Sequence, residues 1–295
     1  MNADVSRLRL WWLQACRMEV LSPKPGNVSP GRDFADACAR DFLLSAEAAA
    51  TAISGAGEQS VGRTVLSAVR AVRQVVSHNT NLGIILLIAP LAAVPSGQSL
   101  EQGIESVLAG LTVRDSCDVY AAIRLAAPGG LGRAAEQDVT AEPSQPLREC
   151  MRLAADRDLI AAQYAGGFRE VLGVGREWLR EAAGRTSDQR QQVVELALRL
   201  LAASGDSLIA RKCGQATSEQ AARLAGRVLA AGWPDGSDAM LAMAELDEFL
   251  RGDGNRRNPG TTADMTAGIL FAALRDGQLI MDPVQFETVE SGGAG

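Results

Sequence analysis

Hydrophobic positions recur along this chain at helical spacing, and stretches that alternate like a strand are scarce. Val65, Ala68, Val69, Val72 and Val76 fall at i, i+3, i+4, i+7 and i+11, which places them on one stripe of a helix. In "QQVVELALRLLAASG", Val193, Ala197, Leu200, Leu201 and Ser204 line one face and Gly205 offers a stop. Roughly a dozen such segments can be traced, at the short lengths usual for globular helices. Stretches mixing Gly and Pro with polar residues separate them at 22–32, 55–60, 94–99, 127–146 and 252–262. The pattern predicts an all-α fold, one multi-helix globular domain over 1–288, with a disordered tail at 289–295. The 127–146 stretch exceeds ordinary loop lengths, and long loops in compact domains are commonly functional.

One segment is apolar all round. "SHNTNLGIILLIAPLAAV", residues 77–94, sets a polar cluster before an aliphatic run. The run is shorter than the about 20 residues a bilayer span needs, and the N-terminus lacks an apolar signal core. The expectation is a cytoplasmic protein with no membrane partner. Ser77, Asn79 and Thr80 are placed to cap the apolar helix, and the same helix end would also receive an anion. His78 reads as a hydrogen-bonded structural residue, since it is the chain's only histidine.

Composition narrows the function classes. Abundant Ala, Leu and Arg with few aromatics favour helix over sheet. A net charge of −6 argues against a nucleic-acid backbone as partner. Five scattered cysteines without a CxxC pair suit reduced thiols rather than zinc. Apolar helices with few aromatics would also allow a homodimer.

Several loops carry more chemistry than a turn requires. In "PKPGNV", Lys24, Gly26 and Asn27 sit between stiffening prolines, which reads either as a helix-ending turn or as a phosphate-binding loop. "GGLG" at 129–132, followed by Arg133 and Asp138, resembles a phosphate cradle only weakly. Acids recur at Asp115, Asp118, Asp156, Asp158, Asp206 and Asp264. In "GDSLIARKCG", Asp206 precedes Arg211 and Lys212 within one or two turns, a pattern that suits magnesium and polyphosphate. "RRNPGTTADM" adds Arg257, Asn258, Thr261, Thr262 and Asp264 around a helix start.

Taken together, "EVLSPKPGNVSPGRDF...DFLLSA", "NTNLGIILLIAPL", "GDSLIARKCG" and "NPGTTADM" resemble, in order and spacing, the triphosphoribosyl-dephospho-CoA synthase family, from about Glu19 to Phe271. The resemblance implies an all-α, magnesium-dependent enzyme. It would join ATP to 3′-dephospho-CoA through a ribosyl–ribose bond, release adenine, and so act on small nucleotide substrates. It further implies that Lys24, Gly26 and Asn27 match the family's KPG loop, Ser45 its following serine, and Asn79, Thr80 and Gly83 its NT..G motif. Asp206, Arg211 and Lys212 match the later Asp...Lys segment. On that frame Lys24, Arg211 and Lys212 would meet phosphates, joined by Asn258, Thr261 and Thr262. Asp206 would bind magnesium or act as base, with Asp264 and Asp118 as further catalytic acids.

The chain departs from the citrate lyase branch, whose second motif reads NTHKG, by carrying Asn81 and Leu82. It looks more like a branch associated with tetrahydromethanopterin and methanofuran metabolism. A one-carbon cofactor precursor is therefore an alternative acceptor. A nucleotide hydrolase and a non-catalytic helical nucleotide-binding protein are further alternatives.

Overall fold

The computed structural model describes residues 3–287 apart from 130, 131, 133 and 135. The glycine loop's Gly130, Leu131 and Arg133 and the tail from 288 onward thus lie outside the described residues. Among those described there are fourteen α-helices and no strand beyond one isolated bridge between Ser29 and Arg32. The elements are α1 (Ala3–Leu21), α2 (Ala39–Ser54), α3 (Val61–Val75), α4 (Leu82–Ala92), α5 (Leu100–Ala109), α6 (Val113–Ala126) and α7 (Leu147–Arg152). They continue with α8 (Leu159–Gly166), α9 (Gly175–Ala183), α10 (Gln189–Ser204), α11 (Ser207–Cys213), α12 (Gln215–Ala230), α13 (Ser237–Arg251) and α14 (Gly260–Arg275).

The α3 stripe read from sequence is its buried face, whereas the α10 stripe is corrected at Ser204, which is exposed at the helix end. Val65, Ala68, Val69 and Val72 of α3 are all within the core, and Val76 caps the helix. In α10 the apolar residues divide: Val193, Leu196 and Leu200 join the main core, while Val194, Leu198 and Leu201 join a second cluster with α11, α12 and α13. Because one helix belongs to both clusters, the body is continuous.

α4 lies at the centre, packed by α14, α3, α2, α5 and α8. Every residue of it except Gly83 is buried, which is why its sequence lacks a polar face. Pro90 has no N–H to give the carbonyl of Leu86, the i−4 position. The buried Tyr164 of α8 supplies the missing donor, its hydroxyl bonding the Leu86 carbonyl at 2.6 Å. α14, also mostly buried, lies alongside and carries the last motif into the centre.

Candidate active site

A cavity of about 580 Å³ opens where four helix N-termini meet. Its walls include Leu82, Gly83 and Ile84 from the start of α4, Ile160 and Ala161 of α8, Leu208 of α11, and Gly260 and Thr261 of α14. The backbone N–H groups of a helix start are short of partners and carry partial positive charge, so this convergence favours an anion. Two of the ends are closed by their own acids. Asp158 caps α8, accepting from the amides of Ile160 and Ala161 at 2.9 and 3.0 Å. Asp206 caps α11, accepting from Leu208 and Ile209 at 2.9 and 3.0 Å. α4 has no side-chain cap; α14 has none from its own Pro259, but its Thr262 amide donates to Asp206.

The capping expected of Ser77, Asn79 and Thr80 is therefore corrected. Asn81 occupies the cap position of α4 and turns its amide to the Phe42 carbonyl at 3.2 Å, leaving its Oδ1 buried without a partner. Thr80 donates instead to the buried hydroxyl of Ser45 at 2.7 Å. The polar cluster braces α2 against the loop and leaves the helix end open.

Asp264 stands one turn into α14, and its carboxylate lies against the backbone of Gly83. A Cβ at that glycine would come within 2.0 Å of Asp264 Oδ2. Asp264 lines the cavity, and among the described residues neither of its oxygens has a hydrogen-bond or ion-pair partner. Its pKa is pushed well above the ordinary value, chiefly by burial, then by the charges of Glu19, Asp206 and Asp158; Arg211 opposes them. Such a carboxylate is a stronger base than an exposed one.

Glu19, at the end of α1, also lines the cavity and forms an ion pair with Lys24 at 2.8 Å. Lys24 itself is fully buried behind that wall and also donates to the Glu19 and Ser22 carbonyls, so it is not brought to the cavity. The loop's Asn27 is. Gly26 holds the loop down instead: its N–H donates to Asp247 at 2.8 Å, and at φ +71° a Cβ would strike Leu250 at 2.5 Å and meet Pro259 at 3.0 Å. The first motif is thus clamped onto the last.

Arg211 and Lys212 do reach the cavity. Arg211 pairs with Asp158 at 2.5 Å, while its Nε is enclosed without a partner. Lys212 donates to Asn258 at 3.1 Å, and burial lowers its pKa against the pull of Asp206. Asn79, Thr80, Asn258 and Thr261 line the same space. Ser45, Thr262, Asp206 and Asp118 do not. Asp118 lies on α6, 3.4 Å from Arg114. Thr262 and Asp206 hold each other, the Thr262 amide and hydroxyl donating to Asp206 Oδ2 at 2.7 and 2.8 Å.

Asp206 consequently does not fit a metal. It is wholly buried, both oxygens accept from protein donors, and burial raises its pKa despite them. Among the described residues no three His, Cys, Asp or Glu side chains gather closely enough to form a metal cage. The donor set fits magnesium only as the ion is commonly carried, on substrate phosphates with one or two protein carboxylates. Glu19 and Asp264 are among the lining acids, with Asp36, Glu136, Asp138 and Asp158.

Glu19 carries no role in the sequence reading, and Asp158 appears there only among the recurring acids. A lone acid in the apolar stretch "MEVLS" and the cap-like "DRDL" were the available signals.

Fold and site together describe an all-α protein whose cavity gathers helix N-termini, cations and a carboxylate without a protein partner. The chain belongs to the ATP:dephospho-CoA triphosphoribosyl transferase family, CitG, whose family model matches residues 6–281. It is similar to the crystal structure of a protein of Archaeoglobus fulgidus provisionally named a triphosphoribosyl-dephospho-CoA synthase. That similarity has a TM-score of 0.65 and 29% identity, covering 81% of this chain and 98% of the other. No curated protein matches the chain. Its enzyme class is that of the family. No helix among the described residues is long and apolar enough to cross a membrane.

Proposed function

We propose that the enzyme transfers the triphosphoribosyl group of ATP to a ribose hydroxyl of 3′-dephospho-CoA and releases adenine. The observation that carries this reading is the carboxylate of Asp264, free of protein partners, at the meeting of the NT..G and NPG motifs. Departure of adenine builds positive charge at the anomeric carbon. Asp264 would accept the proton of the attacking hydroxyl while its negative charge faces that carbon. Arg211, Lys212 and the open end of α4 would grip the triphosphate without cleaving it. Magnesium, when bound, supplies neutralisation of the triphosphate; Glu19 would hold it there. Arg211 is kept in place by Asp158, and Glu19 by Lys24.

The test is incubation with ATP, magnesium and 3′-dephospho-CoA, following free adenine and the coupled product by mass. Phosphate release without adenine would replace this reading with hydrolysis. A second reading concerns the acceptor. Leu82 lines the cavity where the NTHKG form carries a lysine, so this chain offers an apolar contact in place of a cation. Adenine release with a one-carbon cofactor precursor, and none with dephospho-CoA, would establish that alternative.

A further inference from the structure

The cavity's about 580 Å³ is within the range of a pocket for one small ligand, whereas the proposed reaction unites two nucleotides. Part of one of them must therefore lie outside it. Asp36, Glu136, Asp138 and Arg157 are among the charged residues lining the cavity itself, with Asp36 near enough to act on Lys212, and Arg157 is engaged with Asp156 at 3.4 Å.

The space beside the cavity is mostly cationic. Lys212 and Arg256 line both the cavity and an adjoining open basin, whose further lining includes Arg257, Phe249 and Asp253. Three cations there face one carboxylate, 3.5 Å from Arg256. The cations are held in position by neutral groups. Arg257 donates to the Phe249 carbonyl at 3.0 Å and stacks 4.7 Å above that ring. Arg256 donates to the Lys212 carbonyl at 3.1 Å. Guanidinium groups fixed in this way lose little freedom when they take a phosphate.

We propose that this basin is the subsite for the diphosphate of the acceptor nucleotide, with the triphosphate of ATP retained in the cavity. The assignment rests on the transferase reading above. It follows from shape as well as charge. Dephospho-CoA continues beyond its diphosphate into a long pantetheine arm that must reach solvent, which an open basin allows. ATP ends at its γ-phosphate and needs no exit.

The test is steady-state kinetics of Arg257→Gln and Arg256→Gln. The KM for dephospho-CoA should rise about tenfold in each, the value for one lost charge-assisted contact, with the KM for ATP unmoved. Arg257→Lys should recover part of the loss. Circular dichroism checks the fold, and Arg256→Gln leaves the Phe249 contact intact. A rise in the KM for ATP instead would put the triphosphate in the basin, and no change in either KM would empty it; both overturn the proposal. If the parent enzyme released no adenine, the transferase reading would fail first. Calorimetric titration of parent and variants with dephospho-CoA then tests the basin alone, and equal affinities would overturn it.

Discussion

The carboxylate of Asp264 rests on Gly83, so close that a single methyl group at that glycine would overlap Oδ2 at 2.0 Å. The second and fourth sequence motifs, 181 positions apart by these residue numbers (264 − 83), are thereby one object. Gly83→Ala must displace the carboxylate or part α4 from α14. Displacement of a reacting group by about an ångström costs on the order of 10²-fold in rate, and overpacking costs about 1–3 kcal/mol. Adenine release should fall by that factor in a variant that still melts cooperatively. A fully active Gly83→Ala would remove Asp264 from the chemistry.

The titration of Asp264 has a definite sign. Unfolded, the group ionises near 3.8; folded, burial and then the charge of Glu19 raise that value well above it. Between the two values the folded chain binds the proton more tightly, so stability falls as pH rises through that window. Asp264→Asn should therefore be more stable than the parent above the window, an advantage that disappears below 3.8. Its activity should drop by about 10²–10⁴-fold. In the parent, the rate should climb with pH to a midpoint above the ordinary carboxylate range. Melting curves and a pH–rate profile check both; a midpoint near 3.8 would contradict the assignment.

How much of this was legible in the sequence depends on distance along the chain. The stripe from Val65 to Val76 and the Gly205 stop are local periodicities, and they stand as read. Asp206 also carried a local signal, an acid just before a helix. As a cap it needs no ligand, and its second oxygen found Thr262, 56 residues away. No window of sequence shows that contact. Lys24 reads as part of a helix-ending turn or of a phosphate-binding loop because prolines and a glycine surround it, yet the loop folds inward and pairs it with Glu19. Contacts such as Gly26 on Leu250 exist only once the helices have packed.

Tyr164 and Pro90 form a compensating pair. Tyr164→Phe keeps the packing but leaves the buried Leu86 carbonyl unpaired, which costs about 1–3 kcal/mol. Pro90→Ala restores a backbone donor to the same carbonyl, so the double variant should lose less than Tyr164→Phe alone. Denaturant melts of the three proteins measure this. A Tyr164→Phe protein as stable as the parent would show that the carbonyl finds another partner.

Breaking the buried Lys24–Glu19 pair should be mainly a stability event. Lys24→Met leaves Glu19 with its charge uncompensated, a loss of about 3–5 kcal/mol. Adding Glu19→Gln should return part of it. If instead Lys24→Met melted like the parent and only raised the KM for ATP, the lysine would be a phosphate ligand.

Asp206 separates a cap from a metal ligand. Four donors converge on it: the amides of Leu208 and Ile209 on one oxygen, the amide and hydroxyl of Thr262 on the other. Asp206→Ala strands all of them in a fully buried place, and at about 1–3 kcal/mol for a stranded group the loss should reach at least about 3 kcal/mol. Asp206→Asn can still accept from α11 through its carbonyl, but it turns an NH₂ toward the Thr262 donors, so its loss should be intermediate. The part of each sample that remains folded should need the same magnesium concentration as the parent for half-maximal adenine release. A metal ligand would behave in the opposite way, with melting little changed and the magnesium requirement raised severalfold. Thermal melts paired with magnesium titrations of the three proteins distinguish the two, and the second pattern would restore Asp206 to the metal.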